Sequence, residues 1–315
     1  MVSLHEPGGT RTAGGVYAVS AYLLWGVLPL YFLLLVPTGP WELVAWRVLL
    51  SLVFCVILLT VTRGWQAFAA IICEPKLLGL TAIAGLLIYV NWQVFVYATL
   101  TGHVVETSLG YFINPIATVL LGVFVLRERI RVAQWVAIGI AAIAVIVIVI
   151  GYGSFPWIAL SLAGSFGIYG LIKKQIGPAV DAVSGLTLES FWLIPIAALQ
   201  LILVAATPSG LTMGQIGPWH AVLLALAGVA TAVPLLLFAA GARRIDLSLI
   251  GMIQFITPIM QFLLGVVVLG ESMPPARWAG FILVWVAIGV FVIDMVVAAR
   301  MAKPLSIRDR TVAHR

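Results

Sequence analysis

Phe112-Ile-Asn-Pro-Ile-Ala-Thr-Val-Leu-Leu-Gly-Val-Phe-Val-Leu-Arg-Glu128 recurs without a gap as Phe255-Ile-Thr-Pro-Ile-Met-Gln-Phe-Leu-Leu-Gly-Val-Val-Val-Leu-Gly-Glu271. The offset is 143 residues, and from Phe112 to Trp135, 13 of 24 positions are identical. Compositional bias accounts for Leu meeting Leu and Val meeting Val. It does not account for Pro115 meeting Pro258, Gly122 meeting Gly265, Glu128 meeting Glu271 and Trp135 meeting Trp278 in one register. The chain therefore reads as two copies of one unit.

Composition says what kind of unit. Hydrophobic residues make up 63% of the 315 positions and charged residues only 9%, with a mean hydropathy of +1.17. A soluble domain carries about 25% charge, so a globule of this size could not be covered. Cytosolic enzymes, disordered regulators and nucleic-acid-binding domains are excluded. The expected class is an all-α membrane protein. A span needs about 20 apolar residues, and the apolar runs give ten: 15–35, 41–62, 77–100, 104–126, 132–151, 154–172, 184–206, 218–241, 247–269 and 276–298. The runs are continuous and about twice the length of a barrel strand. Lipid leaves backbone groups only internal partners, which demands helices. The N-terminus lacks the charged-apolar-cleavage pattern of a signal peptide, so the first run is read as a retained span. Cys55 and Cys73 are too few for a disulfide scaffold.

With the N-terminus placed in the cytoplasm, 15 of the 17 basic residues fall on the inner side. Only Arg277 lies outside, and Arg47 lies within a span. The positive-inside rule favours this orientation over its reverse, and it puts both termini in the cytoplasm. The basic pI of 9.6 becomes a topology signal with a secondary attraction to anionic membrane lipid. Each half holds five spans. Five is odd, so the second copy enters the membrane from the opposite side. The loops agree: Arg127-Glu-Arg-Ile-Arg131 is expected inside, and its counterpart Gly270-Glu-Ser-Met-Pro274 outside, without the arginines. The expected organisation is a cytoplasmic segment 1–14, a five-helix repeat 15–151, an inverted five-helix repeat 154–298 and a basic cytoplasmic tail 299–315. Inverted repeats enclose a midplane site in secondary transporters, although duplication also builds membrane proteins that move nothing.

Candidate path residues follow from polarity at depth. Tyr111, Asn114 and Thr118 share one helical face, and Gln254, Thr257 and Gln261 hold the equivalent positions of the second copy. Such groups face a cavity or bond one helix to another. Tyr89, Gln93 and Tyr97, with Asn91 and Trp92 adjacent, form a third stripe, and Tyr22, Trp25, Pro29 and Phe32 a fourth. Aromatic faces in a cavity suit amphipathic, aromatic or cationic solutes; in lipid or packed cores the same residues are filler. Pro115 and Pro258, at equivalent mid-span positions, are read as helix breaks that free a carbonyl. Gly164, Gly167 and Gly170 suggest close helix packing.

Ionisable residues within spans are few. Arg47 either snorkels outward to pair with Glu42 or faces the cavity to hold an anionic group. Glu106, beside His103, and Glu189 are candidate coupling groups, with a solvated surface role the alternative for Glu106. Asp294 reads as a cap on a solvated helix end. No metal-protease, nucleophile-elbow, thiol-redox or P-loop motif occurs, so neither an enzyme, a metal, a cofactor nor intrinsic ATP drive is expected. Nucleic acid is not an expected partner.

Ten spans in two inverted halves resemble the drug/metabolite transporter superfamily, in its EamA branch. The runs Trp25-Gly-Val-Leu-Pro-Leu-Tyr31, Glu42-Leu-Val-Ala-Trp-Arg47, Asn91-Trp-Gln93 and Thr107-Ser-Leu-Gly-Tyr-Phe-Ile-Asn-Pro115 resemble its RarD-type (chloramphenicol-sensitive protein) subgroup. The resemblance spans Gly15 to about Ala298. It implies a bacterial inner-membrane permease that exports small metabolites or drug-like solutes. The expected mechanism is alternating access around Tyr22, Trp25, Arg47, Asn91, Tyr97, Tyr111, Asn114, Gln254 and Thr257. Spans five and ten, poor in polar residues, are scaffold or homodimer-contact candidates. The rival classes are a non-transporting membrane scaffold and an intramembrane lipid-acting enzyme.

Overall fold

The computed structural model describes residues 8–127, 130–152, 155–177, 179–242, 244–245 and 253–301. Half of the expected cytoplasmic segment 1–14 and most of the tail 299–315 lie outside them, as do Glu128 and Arg129 and the side chain of Thr118. The described chain is helical, without strands. In order come α1 (Gly8–Leu33), α2 (Pro40–Val61), α3 (Trp65–Ile72), α4 (Pro75–Leu100), α5 (Val104–Leu126), α6 (Val132–Tyr152) and α7 (Trp157–Ile176). Then follow α8 (Ala182–Trp192), α9 (Ile194–Ala205), α10 (Pro218–Ala225), α11 (Ala227–Ala242), α12 (Ile256–Leu263), a π-helical turn (Leu264–Val268) and α13 (Pro275–Met301).

Among the described residues, six stretches are long and apolar enough to cross a membrane: Thr12–Leu33, Pro40–Val61, Pro75–Leu100, Val132–Ile150, Pro218–Phe238 and Pro275–Asp294. The pair α8 and α9, bent by 47°, makes up to a seventh, and Trp157–Lys173 and Ile256–Val268 are shorter apolar helices.

Several helices begin where the sequence removes a donor that has no intrahelical partner. Pro40, Pro75, Pro195 and Pro218 sit in the first turns of α2, α4, α9 and α10, where a missing N–H costs nothing. The expected break at Pro115 is absent: α5 runs through it unbroken. Its repeat partner Pro258 is the third residue of α12, directly after the non-helical Gln254 and Phe255. An interior proline frees one carbonyl, but whether the helix opens depends on what packs around it. Ile113, Asn114 and Ile116 around Pro115 are all buried, and their packing keeps α5 continuous.

The packing order is regular. α1 lies on α11 and α12; α7 lies on α4 and α5. α2 meets α11, and α4 meets α8. The repeat-related helices pair with each other in opposite directions. At the start of α5, the Val104 and Val105 N–H groups donate to Glu271, just past the end of the α12 segment. At the start of α6, Arg131 grips Asp294 near the end of α13, with N–O distances of 2.6–2.9 Å. Toward the other ends, Gly280 abuts Ile148. Asp294 is thus an ion-pair partner rather than the solvated cap expected.

Glycine makes the two tightest related crossings. A Cβ on Gly85 of α4 would meet the Glu189 carbonyl oxygen of α8 at 2.9 Å. A Cβ on Gly228 of α11, 143 residues later, would fall within 2.4–2.6 Å of Leu50 backbone atoms on α2. Among the glycines singled out from α7, only Gly167 has a close neighbour, Leu121 at 3.2 Å. Gly164 and Gly170 face open space, because a three-residue spacing walks around the helix and one packed face holds only part of it.

Candidate functional site

A central cavity opens where α1, α2, α4, α5, α7, α11 and α12, with the segment leading into α12, converge. It holds about 780 Å³ of empty space, counting the part open to solvent. Tyr22, Trp25, Arg47, Asn91, Tyr111, Asn114, Gln254 and Thr257 all line it, as does Pro258. These residues come from both halves of the repeat.

Tyr97 is not among the lining residues. Its ring is 39% exposed and packs on Trp157, with centroids 5.8 Å apart. A four-residue step from Gln93 keeps a helical face, but it climbs one turn out of the cavity. Pro115 is buried without lining the space. Sequence reading missed Leu28, Ile88, Phe95, Phe166, Thr231 and Leu235 as lining residues. Five of these are apolar or aromatic residues in apolar runs, and nothing local marks them. The signal that could have found Thr231 is its hydroxyl, the only one in the apolar helix α11.

The polar stripes serve two roles together. Thr257 Oγ1 donates to the Tyr22 carbonyl at 2.7 Å, and Gln261 Nε2 to the Trp25 carbonyl at 3.4 Å. The Trp25 carbonyl is free because Pro29, four residues on, has no N–H. Asn91 Nδ2 reaches the Leu162 carbonyl and Ser165 Oγ, each at 3.2 Å, while Tyr111 Oη donates to Asn91 Oδ1 at 3.3 Å. The stripes therefore bond helix to helix and still present surface to the cavity.

Arg47 is 2% exposed. It does not pair with Glu42. Glu42 accepts the Thr212 and Met213 N–H groups and the Trp46 indole N–H instead, at 2.9–3.2 Å, pinning the 206–217 loop. Arg47 Nε donates to Thr231 Oγ1 at 3.0 Å, whose own proton goes to the Ala227 carbonyl. The guanidinium carbon lies 4.8 Å from the Phe32 ring centre and 5.1 Å from that of Trp92. Such contacts supply about 2 kcal/mol in a desolvated setting.

The two candidate coupling carboxylates lie off the cavity. Glu189, 1% exposed, pairs with Lys173 Nζ at 2.7 Å and accepts the Tyr169 hydroxyl at 3.1 Å. Glu106 lies at the start of α5, beside the first turn of α7. Glu271, in the loop before α13, was noted only as a repeat match. Burial raises its carboxyl above the ordinary range, against the pull of the Val105 and Val104 N–H groups and of Arg277 and His103.

The EamA-like transporter family profile matches residues 12–150. Protein RarD of Streptomyces exfoliatus is 43% identical over 293 residues, covering 93% of this chain and 92% of that one. The uncharacterized transporter YojE of Bacillus subtilis is 39% identical, covering 92% and 97%. A solved crystal structure superposes with a TM-score of 0.59 at 20% identity, over 94% of this chain and 100% of that one. That last likeness bears on the fold alone. The chain belongs to the EamA-like transporter family, in the group of proteins named RarD, and is a multi-pass membrane transporter.

Proposed function

We propose that the chain is a secondary transporter that exports small metabolites or drug-like solutes across a bacterial inner membrane by alternating access. Two five-helix repeats of opposite orientation, 15–151 and 154–298, rock about the central cavity, with both termini in the cytoplasm. The observation that carries this reading is the cavity itself: aromatic and polar side chains from both halves converge on one space. Three further observations support the inverted repeat. The α5/α12 and α6/α13 pairs run antiparallel. The α1–α11 and α7–α4 contacts exchange when the halves are exchanged. Gly85 and Gly228, 143 residues apart, make equivalent crossings. An inverted duplication accounts for all three, since contacts within one half reappear with the partners swapped.

The test is flux in proteoliposomes across a panel of radiolabelled metabolites and drugs, with and without a pH gradient. Movement of at least one solute above protein-free vesicles is expected. No movement across a broad panel, with the protein shown to be folded, would sink the transport reading. Dependence on the gradient separates a coupled exporter from a facilitator.

A further inference from the structure

Arg47 carries a charge that the protein leaves unanswered. Among the described residues no carboxylate pairs with it: Glu42 accepts backbone and indole N–H groups, Glu189 pairs with Lys173 and Asp294 with Arg131. Its Nη1 is buried and has no hydrogen-bond partner. Leaving a buried charge unpaired is costly, and sequence offers many cheaper residues for an apolar wall. The orientation is also fixed. Thr231 holds Nε, and the guanidinium carbon lies over both the Phe32 and the Trp92 ring. The group is thus preorganised, at the wall of the cavity, with a donor to spare.

The rest of the lining says what body accompanies the charge. Tyr22, Trp25, Trp92, Phe95, Tyr111 and Phe166 present aromatic surface. A planar guanidinium matches an oxyanion with paired oxygens. An aromatic cage alone would also accept cations, but a fixed positive charge within it repels them.

We propose that Arg47 is the anion-binding group of the solute site, and that the solute is an aromatic monocarboxylic acid whose carboxylate meets the guanidinium while its ring stacks in the aromatic lining. This deepens, and rests on, the reading of the same cavity as the transport site.

The test uses three probes of one shape: phenylacetate, phenylacetamide and phenethylamine, with charges of about −1, 0 and +1 at neutral pH. Binding to the full chain in phosphatidylcholine nanodiscs is measured by calorimetry, which keeps lipid phosphate constant. Phenylacetate is expected to bind at least about tenfold more tightly than phenylacetamide, the equivalent of ~1.4 kcal/mol, with phenethylamine weakest. In Arg47→Gln the acid should lose that advantage, while Arg47→Lys should keep part of it. Equal affinity of wild type for acid and amide, a preference for the amine, or no binding by any probe would overturn the proposal. The wild-type comparison stands even if Arg47→Gln fails to fold. Proteoliposome flux separates the two readings. Acid binding without flux leaves the Arg47 site standing and sinks transport. Flux of neutral or cationic solutes, undiminished in Arg47→Gln, does the reverse.

Discussion

Removing Lys173 should expose how strongly the fold depends on one buried charge. Glu189 is 1% exposed and Lys173, with a side chain 29% exposed, meets it at 2.7 Å. In Lys173→Met the carboxylate retains the Tyr169 hydroxyl at 3.1 Å and nothing cationic. Breaking a buried pair by removing one partner costs about 3–5 kcal/mol. The charge part of that cost has a ceiling, because the orphaned group can take up a proton instead. From the ordinary Glu value of about 4.3, neutralisation at pH 7 costs roughly 2.7 × 1.36, or about 3.7 kcal/mol. At pH 5 the same ceiling falls to about 1 kcal/mol. Lys173→Met is therefore expected to lose about 3–4 kcal/mol at pH 7 and roughly a third of that at pH 5. Lys173→Met with Glu189→Gln should recover most of the loss, since no charge is then buried. Unfolding of purified protein in mixed micelles, followed by tryptophan fluorescence at the two pH values, measures all three. A pH 7 loss below about 1 kcal/mol, a loss that grows on acidification, or a double variant no more stable than the single would refute the reasoning.

Arg131 and Asp294 make the contrasting case. The pair is bidentate but half exposed, with Arg131 at 51%, so Arg131→Ala should cost under about 1 kcal/mol by the same unfolding assay. Gly228→Ala places a Cβ about 2.4 Å from Leu50 backbone, which only movement of α11 relieves. A loss of about 1–3 kcal/mol is expected, whereas Gly164→Ala, facing open space, should be neutral or slightly stabilising in the same measurement. Burial raises Glu271 above the ordinary carboxylate range, so folding favours its protonated form. That contribution is complete below about pH 4.3 and is lost as pH rises through the raised value. The melting temperature of wild type minus that of Glu271→Gln should accordingly fall across that window, and a flat difference would contradict it.

Much of this protein is legible in one dimension because its determinants are local. Lipid imposes helices on any long apolar run, so composition settles class. The Pro, Gly, Glu and Trp register between Phe112 and Trp278 exposes the duplication without reference to contacts. Eight of nine named path residues line the cavity, since polar atoms at depth must face either water or one another. Tyr97 failed because helical phase says which face a residue shares but not how high the cavity reaches.

What the tertiary structure alone decided is partnership. Glu42 and Arg47 lie five residues apart on α2 and carry opposite charge, yet Glu42 turns to the 206–217 loop and Arg47 to Thr231, 184 residues away. Glu189 of α8 finds Lys173 of α7 beside Gly185, where a Cβ would lie 2.9 Å from the Lys173 Nζ. Periodicity ranks faces along one helix. The rotation and depth of that helix against its neighbours are set by close packing of side chains distant in sequence. The repeat, the helices and the polar stripes were therefore properties of the chain. The unpaired guanidinium at the cavity wall emerged only once seven helices had closed around it.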